Sequence, residues 1–153
     1  MYILDQKVLR GMEHKNSYEN LYKLVEKLKS SDDPQRKYEY ILWLGKKLNS
    51  PSKELITAQN KVKGCVSEVF VKGDLVEGKI YWEGYSDALI TKGLLSFLIN
   101  GLNALSPKDV IDLDKSFIDE TGLNKSLTPS RSNGFLNIFL KMKSEANSFL
   151  SSQ

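Results

Sequence analysis

The sequence predicts an α+β domain in which a small antiparallel sheet of about three strands is covered by helices. Three observations carry this reading. Apolar residues recur at three- and four-residue spacing over most of the chain, the signature of amphipathic helices. Only the stretch from 66 to 83 changes to β-branched and aromatic runs punctuated by glycine, the signature of a hairpin. No repeat, low-complexity tract or linker divides the 153 residues, a length that suits one domain with a real core. The first sixteen residues have little pattern and read as a loosely held arm, leaving 17–153 as the domain.

Taken in order, Ser17 is placed to cap a helix bearing Leu21, Leu24, Val25 and Leu28. Asp33 followed by Pro34 starts a second helix, which runs to about Leu48 with Tyr38, Ile41, Leu42 and Leu44 on its apolar side. Residues 49–63 hold Pro51 and no clear period, and read as an irregular loop. Strands follow at about Ser67 to Lys72 and Lys79 to Glu83, joined through Gly73-Asp74 and Gly78. Val62 fits either a short third strand or the loop. Ser86 then caps a strongly apolar helix from Asp87 to about Asn103. Ser106-Pro107 opens a short helix, and another near Asp114 to Glu120 ends at Gly122. Thr128-Pro129 opens the last helix, whose inner face carries Phe135, Ile138, Phe139, Met142 and Phe149.

Composition excludes several classes of function. With 41% apolar and 27% charged residues the chain has the balance of a globular protein. Its charge of +3 is spread over interleaved acids and bases, without the basic stripe and stacking aromatics that nucleic acid requires. Neither a secretory signal nor a bilayer-spanning segment is expected, since the greasiest stretch, Ala88 to Leu102, is short and carries Lys92. A cytoplasmic compartment is therefore expected, with a plastid stroma also open because a transit peptide can be removed.

Two lookalike motifs dissolve on inspection. Gly73 to Lys79 has P-loop spacing, but Ile80 stands where Ser or Thr belongs and the segment lies between strands. Gly84-Tyr85-Ser86-Asp87-Ala88 is positioned like a nucleophile elbow, yet the single histidine, His14, lies upstream in the arm. One cysteine and one histidine also cannot fill a tetrahedral metal shell or hold an iron–sulfur cluster, so no metal is expected.

Cys65 remains. As the only cysteine it cannot close an internal disulfide, so it is either a small apolar filler at the start of a strand or a single reactive thiol. The reactive reading is favoured by Lys61 and Lys63, whose charge would favour thiolate, by the freedom of Gly64, and by the polar approach loop. A thiolate attacks a sulfur–sulfur bond without help from histidine. A second constellation, Leu127 to Gly134, contains caps for the last helix together with Arg131. A cation in a helix's first turn opposes the dipole by a few tenths to about 1 kcal/mol, which suggests a partner anion. That partner is either a carboxylate such as Asp87 or a bound thiolate or persulfide.

Three segments in order carry a family likeness: Gly64-Cys65-x-Ser67-x-Val69, Ser86-Asp87-Ala88 with Lys92-Gly93-Leu94, and Leu127-Thr128-Pro129-Ser130-Arg131-Ser132-Asn133-Gly134. Together they resemble SufE, the sulfur acceptor for the cysteine desulfurase SufS in iron–sulfur cluster assembly, from about residue 20 to residue 146. The resemblance implies a fold shared with IscU-type scaffolds and a persulfide formed on Cys65, at a loop tip able to retreat into a pocket. It implies supporting roles for Asp87 and Arg131, a SufS-like desulfurase as partner and a SufBCD-like scaffold as sulfur recipient. No cofactor is implied for this chain, because the pyridoxal phosphate belongs to the desulfurase. Val66, Glu68 and Phe70 depart from the glutamine, glutamine and tryptophan of many members, and Tyr85 from a frequent aspartate. A binding module that only regulates a desulfurase is the alternative, and monomer and homodimer are both left open.

Overall fold

A computed structural model describes residues 17–151 of the chain; the expected arm and His14 lie outside them. Helix α1 (Glu19–Lys29) buries Leu21, Val25 and Leu28, with Tyr18 rather than Ser17 in its cap position. The Tyr18 hydroxyl instead donates to the Asp109 carbonyl at 2.7 Å. Helix α2 (Pro34–Lys46) starts as expected, the Asp33 carboxylate accepting from the Gln35 amide at 3.0 Å. A long irregular segment follows, containing one 3₁₀ turn, Ala58–Asn60. Its anchor is the buried Asn60 amide, which donates to the carbonyls of Glu54 and Leu55 at 3.2 and 3.1 Å.

The sheet has two strands, not about three. Strand β1 (Val69–Val76) pairs antiparallel with β2 (Lys79–Ser86) in a register from Val69↔Ser86 to Val76↔Lys79. The expected third strand at Val62 is a single bridge between Lys61 and Phe70, with the Val62 amide donating to the Val69 carbonyl at 2.8 Å. Pairing stops there because Gly64, two residues on, turns the chain away at φ +81°. A second lone bridge joins Ile80 to Leu105 on the opposite edge. Both strands are longer than expected because the turn is Glu77-Gly78, each at positive φ, the geometry of a two-residue hairpin loop. Gly73 lies inside β1 opposite Trp82, whose ring stands 2.8 Å from where a Cβ would be, so packing and not turning accounts for that glycine.

Helix α3 (Leu89–Leu102) is buried on nearly every side, which explains its lack of a polar face. Ser86 ends β2, and its hydroxyl accepts from the Ala88 amide at 3.3 Å as the chain turns into α3. Helices α2 and α3 cross at Gly45 and Gly93: a Cβ on Gly93 would run into the Ile41 carbonyl, and one on Gly45 would lie 2.9 Å from the Gly93 nitrogen. Two short helices, α4 (Pro107–Asp112) and α5 (Ser116–Glu120), lead to Gly122 at φ +68°. Ser106 caps α4 as expected, accepting from the Asp109 amide at 3.1 Å. The chain closes with α6 (Pro129–Ser151), which buries Phe135, Ile138, Phe139 and Met142 and packs against α4, β1 and α3, with Phe139 edge-on to Phe117 of α5. One continuous cluster of buried side chains, including Phe97, Phe135 and Phe139, joins the sheet to the helices. Burying each such side chain is worth about 1.5–3 kcal/mol.

Candidate functional site

The rigid parts of this fold meet around the segment that enters β1. The Lys61–Phe70 bridge fixes its near end and β1 its far end, so residues 63–68 form a short loop on a stiff frame. Gly64 adopts φ +81°, a conformation that costs a residue with a side chain about 1–2 kcal/mol. Its carbonyl accepts from the Asn137 side-chain amide of α6 at 3.1 Å, and that same amide would meet a Cβ on Gly64 at 2.8 Å. Turned in this way, the loop directs Cys65 toward α6. The thiol is half-buried and makes a long contact, 3.9 Å, to the Gly134 carbonyl. A Cβ on Gly134 would stand 3.7 Å from the sulfur, an ordinary van der Waals contact, so the thiol lies directly against this turn of α6. The next residue, Val66, points outward and is 84% exposed.

Electrostatics around the thiol differ from the sequence expectation. Burial pushes the Cys65 pKa above its ordinary value. Lys61 and Lys63 do not offset this: Lys61 reaches Glu68 at 3.9 Å, and Lys63 is exposed to solvent. The resting thiol is thus sheltered, and its burial favours the neutral form.

Asp87 and Arg131 both act on the far half of the same loop. The Asp87 carboxylate accepts from the Glu68 amide at 3.1 Å, while its own amide donates to the Glu68 carbonyl at 3.4 Å. Arg131 places one guanidinium nitrogen 2.9 Å from the Ser67 hydroxyl and 2.6 Å from the Thr91 hydroxyl. It thereby ties the loop to the first turn of α3. Of the two kinds of partner anion open to Arg131, the Asp87 carboxylate is bonded elsewhere; the two residues hold successive positions of the loop by separate bonds. Thr128 caps α6 as expected, its hydroxyl accepting from the Arg131 amide at 3.3 Å.

Sequence reasoning missed Asn137 and Thr91. A signal for Asn137 existed: Arg131, Gly134, Asn137 and Lys141 follow one another at intervals of three, three and four, so they share one face of α6. Nothing marked Thr91, which with Ser96 is one of two buried hydroxyls on a mostly apolar helix. Among the described residues, no group of His, Cys, Asp or Glu could hold a metal ion, and no helix is long and apolar enough to cross a membrane.

The model of the family SufE, described as a domain associated with Fe-S metabolism, matches residues 22–146. The chain belongs to the SufE family. An uncharacterized SufE-like protein of Synechocystis is 49% identical over 130 residues, covering 85% of this chain and 82% of that protein. SufE-like protein 1 of Arabidopsis thaliana, named as chloroplastic/mitochondrial, is 35% identical over 82% of this chain. The cysteine desulfuration protein SufE of Plasmodium falciparum is 37% identical over 88%. The chain spans only 34% and 56% of the length of the latter two. In fold it is similar to a hypothetical protein from Thermus thermophilus solved in solution, with a TM-score of 0.75 at 23% identity over 86% of this chain and 96% of that one. SufE membership covers every segment that builds the site, from α1 through most of α6.

Proposed function

We propose that the chain is a sulfur acceptor and carrier, taking sulfur from a cysteine desulfurase onto Cys65 and delivering it for iron–sulfur cluster assembly. The observation that carries this reading is the single thiol on a loop turned by Gly64, sheltered against α6 and braced by Asp87 and Arg131. The names of the Plasmodium relatives, cysteine desulfuration proteins, support the same chemistry.

In the proposed step the Cys65 thiolate attacks the outer sulfur of a persulfide on the desulfurase. A sulfur–sulfur bond forms at Cys65, the donor's sulfur–sulfur bond breaks, and the electron pair of that bond leaves with the donor's thiolate. No external oxidant or reductant is required. The rate follows thiolate fraction, leaving group and access, and at rest burial lowers both the first and the last. Outward rotation about Gly64 frees the thiol, and retreat toward Gly134 afterwards shields the persulfide from stray thiols. A reducing compartment, cytoplasm or plastid stroma, keeps the thiol available, and a SufBCD-like scaffold is the proposed recipient. The deciding experiment compares desulfurase turnover with wild-type and Cys65→Ser protein. Loss of stimulation in the variant supports sulfur acceptance; full stimulation by the variant favours a purely regulatory binding module.

A further inference from the structure

A groove of about 430 Å³ runs beside the cysteine loop, between the 3₁₀ turn and α6. Lys61, Lys63 and Lys141 line it together with Asn137, Leu140 and Gln59, and among the described residues no carboxylate does. Two of the lysines are partly engaged: Lys61 reaches Glu68 at 3.9 Å, and Lys141 donates to the Gln59 carbonyl at 2.9 Å. Among the described residues Lys63 makes no ion pair, and Leu140 is 47% exposed. The groove is continuous with the thiol loop, because Asn137 in its wall is the residue that bonds the Gly64 carbonyl. Positive charge concentrated in a concave surface selects an anionic partner and speeds its arrival.

We infer that this groove receives an acidic, extended segment of the sulfur-donating enzyme, seating the donor beside the loop and drawing Asn137 off Gly64. The inference rests on Cys65 being the sulfur acceptor and adds the chemistry of the surface that docks the donor. Seating an acidic chain across Lys63 and Asn137 would compete for the Asn137 amide and loosen the loop's inward position. Docking and exposure of the thiol would then be coupled.

The test measures binding of the desulfurase to Cys65→Ser protein, so that sulfur transfer plays no part in the readout. Lys63→Glu combined with Lys141→Glu is expected to weaken binding by on the order of tenfold at low ionic strength, the difference shrinking as salt is added. Lys63→Glu alone, at an exposed position, is expected to weaken it by about threefold and leaves the Lys141 bond, and with it the fold, undisturbed. Lys79→Glu at the hairpin turn is the control and is expected to bind like the parent. An oligo-glutamate peptide should compete with the desulfurase for the parent and fail to bind the double variant. Equal affinity of both lysine variants and the parent overturns the inference, as does an equal loss in Lys79→Glu. Sulfur loading of wild-type Cys65 is followed in parallel: failure there removes the acceptor reading, whereas normal loading with unaffected lysine variants removes only the groove.

Discussion

Replacing Gly64 with alanine should release the thiol. In the resting loop Gly64 sits at φ +81°, and a Cβ would come within 2.8 Å of the Asn137 amide that bonds its carbonyl. The backbone conformation costs alanine about 1–2 kcal/mol. Displacing the Asn137 amide forfeits a hydrogen bond worth about 0.5–1.5 kcal/mol. Together these disfavour the inward loop by about 2 kcal/mol, which shifts its balance with an outward loop by roughly 30-fold. The assay is the rate of Cys65 modification by a thiol reagent at fixed pH, where the Gly64→Ala rate should rise by at least about tenfold, capped by the fully open loop. Asn137→Ala, which removes only the hydrogen bond, should give a rise of about fivefold. A folded Gly64→Ala protein, verified by its thermal transition, whose thiol reacts no faster than wild type would refute the hinge and the sheltered thiol together.

Other expectations follow from the same contacts. Gly93→Ala should destabilise the fold by about 3 kcal/mol in denaturant unfolding, because the new methyl meets the Ile41 carbonyl where α2 and α3 cross. Arg131→Ala should cost about 2 kcal/mol, since it strands the buried Thr91 hydroxyl and frees Ser67; it should also slow sulfur acceptance, with Arg131→Lys recovering only part of the loss. Thiol modification followed against pH should show a midpoint above that of free cysteine, because burial raises the Cys65 pKa. The sign for stability follows: a neutral thiol held in the folded state contributes fully below the unfolded pKa and loses that contribution as pH rises through the folded one, so Cys65→Ala should flatten the alkaline fall in stability.

Much of the architecture is legible in the sequence because helix starts have local chemistry. Asp33-Pro34, Ser106-Pro107 and Thr128-Pro129 each supply a side-chain oxygen and a preset φ, and all three open helices where expected. The hairpin is legible as a hairpin, but its turn is not. Gly73-Asp74 competes with Glu77-Gly78 for the turn because a glycine needed for packing against Trp82 looks the same in sequence as one needed for turning. The number of strands depends on how far the chain follows β1 before Gly64 diverts it, which is a tertiary matter.

At the site, Cys65 is legible from its solitude, its glycine and its place beside a strand. Asp87 and Arg131 are legible as oddities, a carboxylate after a strand and a cation in a first helical turn, whereas their partners are not. Pairing opposite charges is the natural guess from sequence, yet Asp87 bonds a loop amide 19 residues away and Arg131 a hydroxyl 64 residues away. Proximity of Lys61 and Lys63 in sequence suggests an activated thiolate, but Lys61 faces Glu68, Lys63 faces solvent, and burial raises the thiol's pKa. Chain spacing reports which charges are near and says nothing of which way the thiol faces.

The most direct measurement is the mass of the Cys65-bearing peptide after the protein is incubated with a cysteine desulfurase and L-cysteine. Sulfur relay through this residue predicts a gain of one sulfur atom on that peptide, reversed by a reducing thiol and absent from Cys65→Ser. An unmodified Cys65, in a mixture where the desulfurase turns over and is stimulated equally by both proteins, would contradict it.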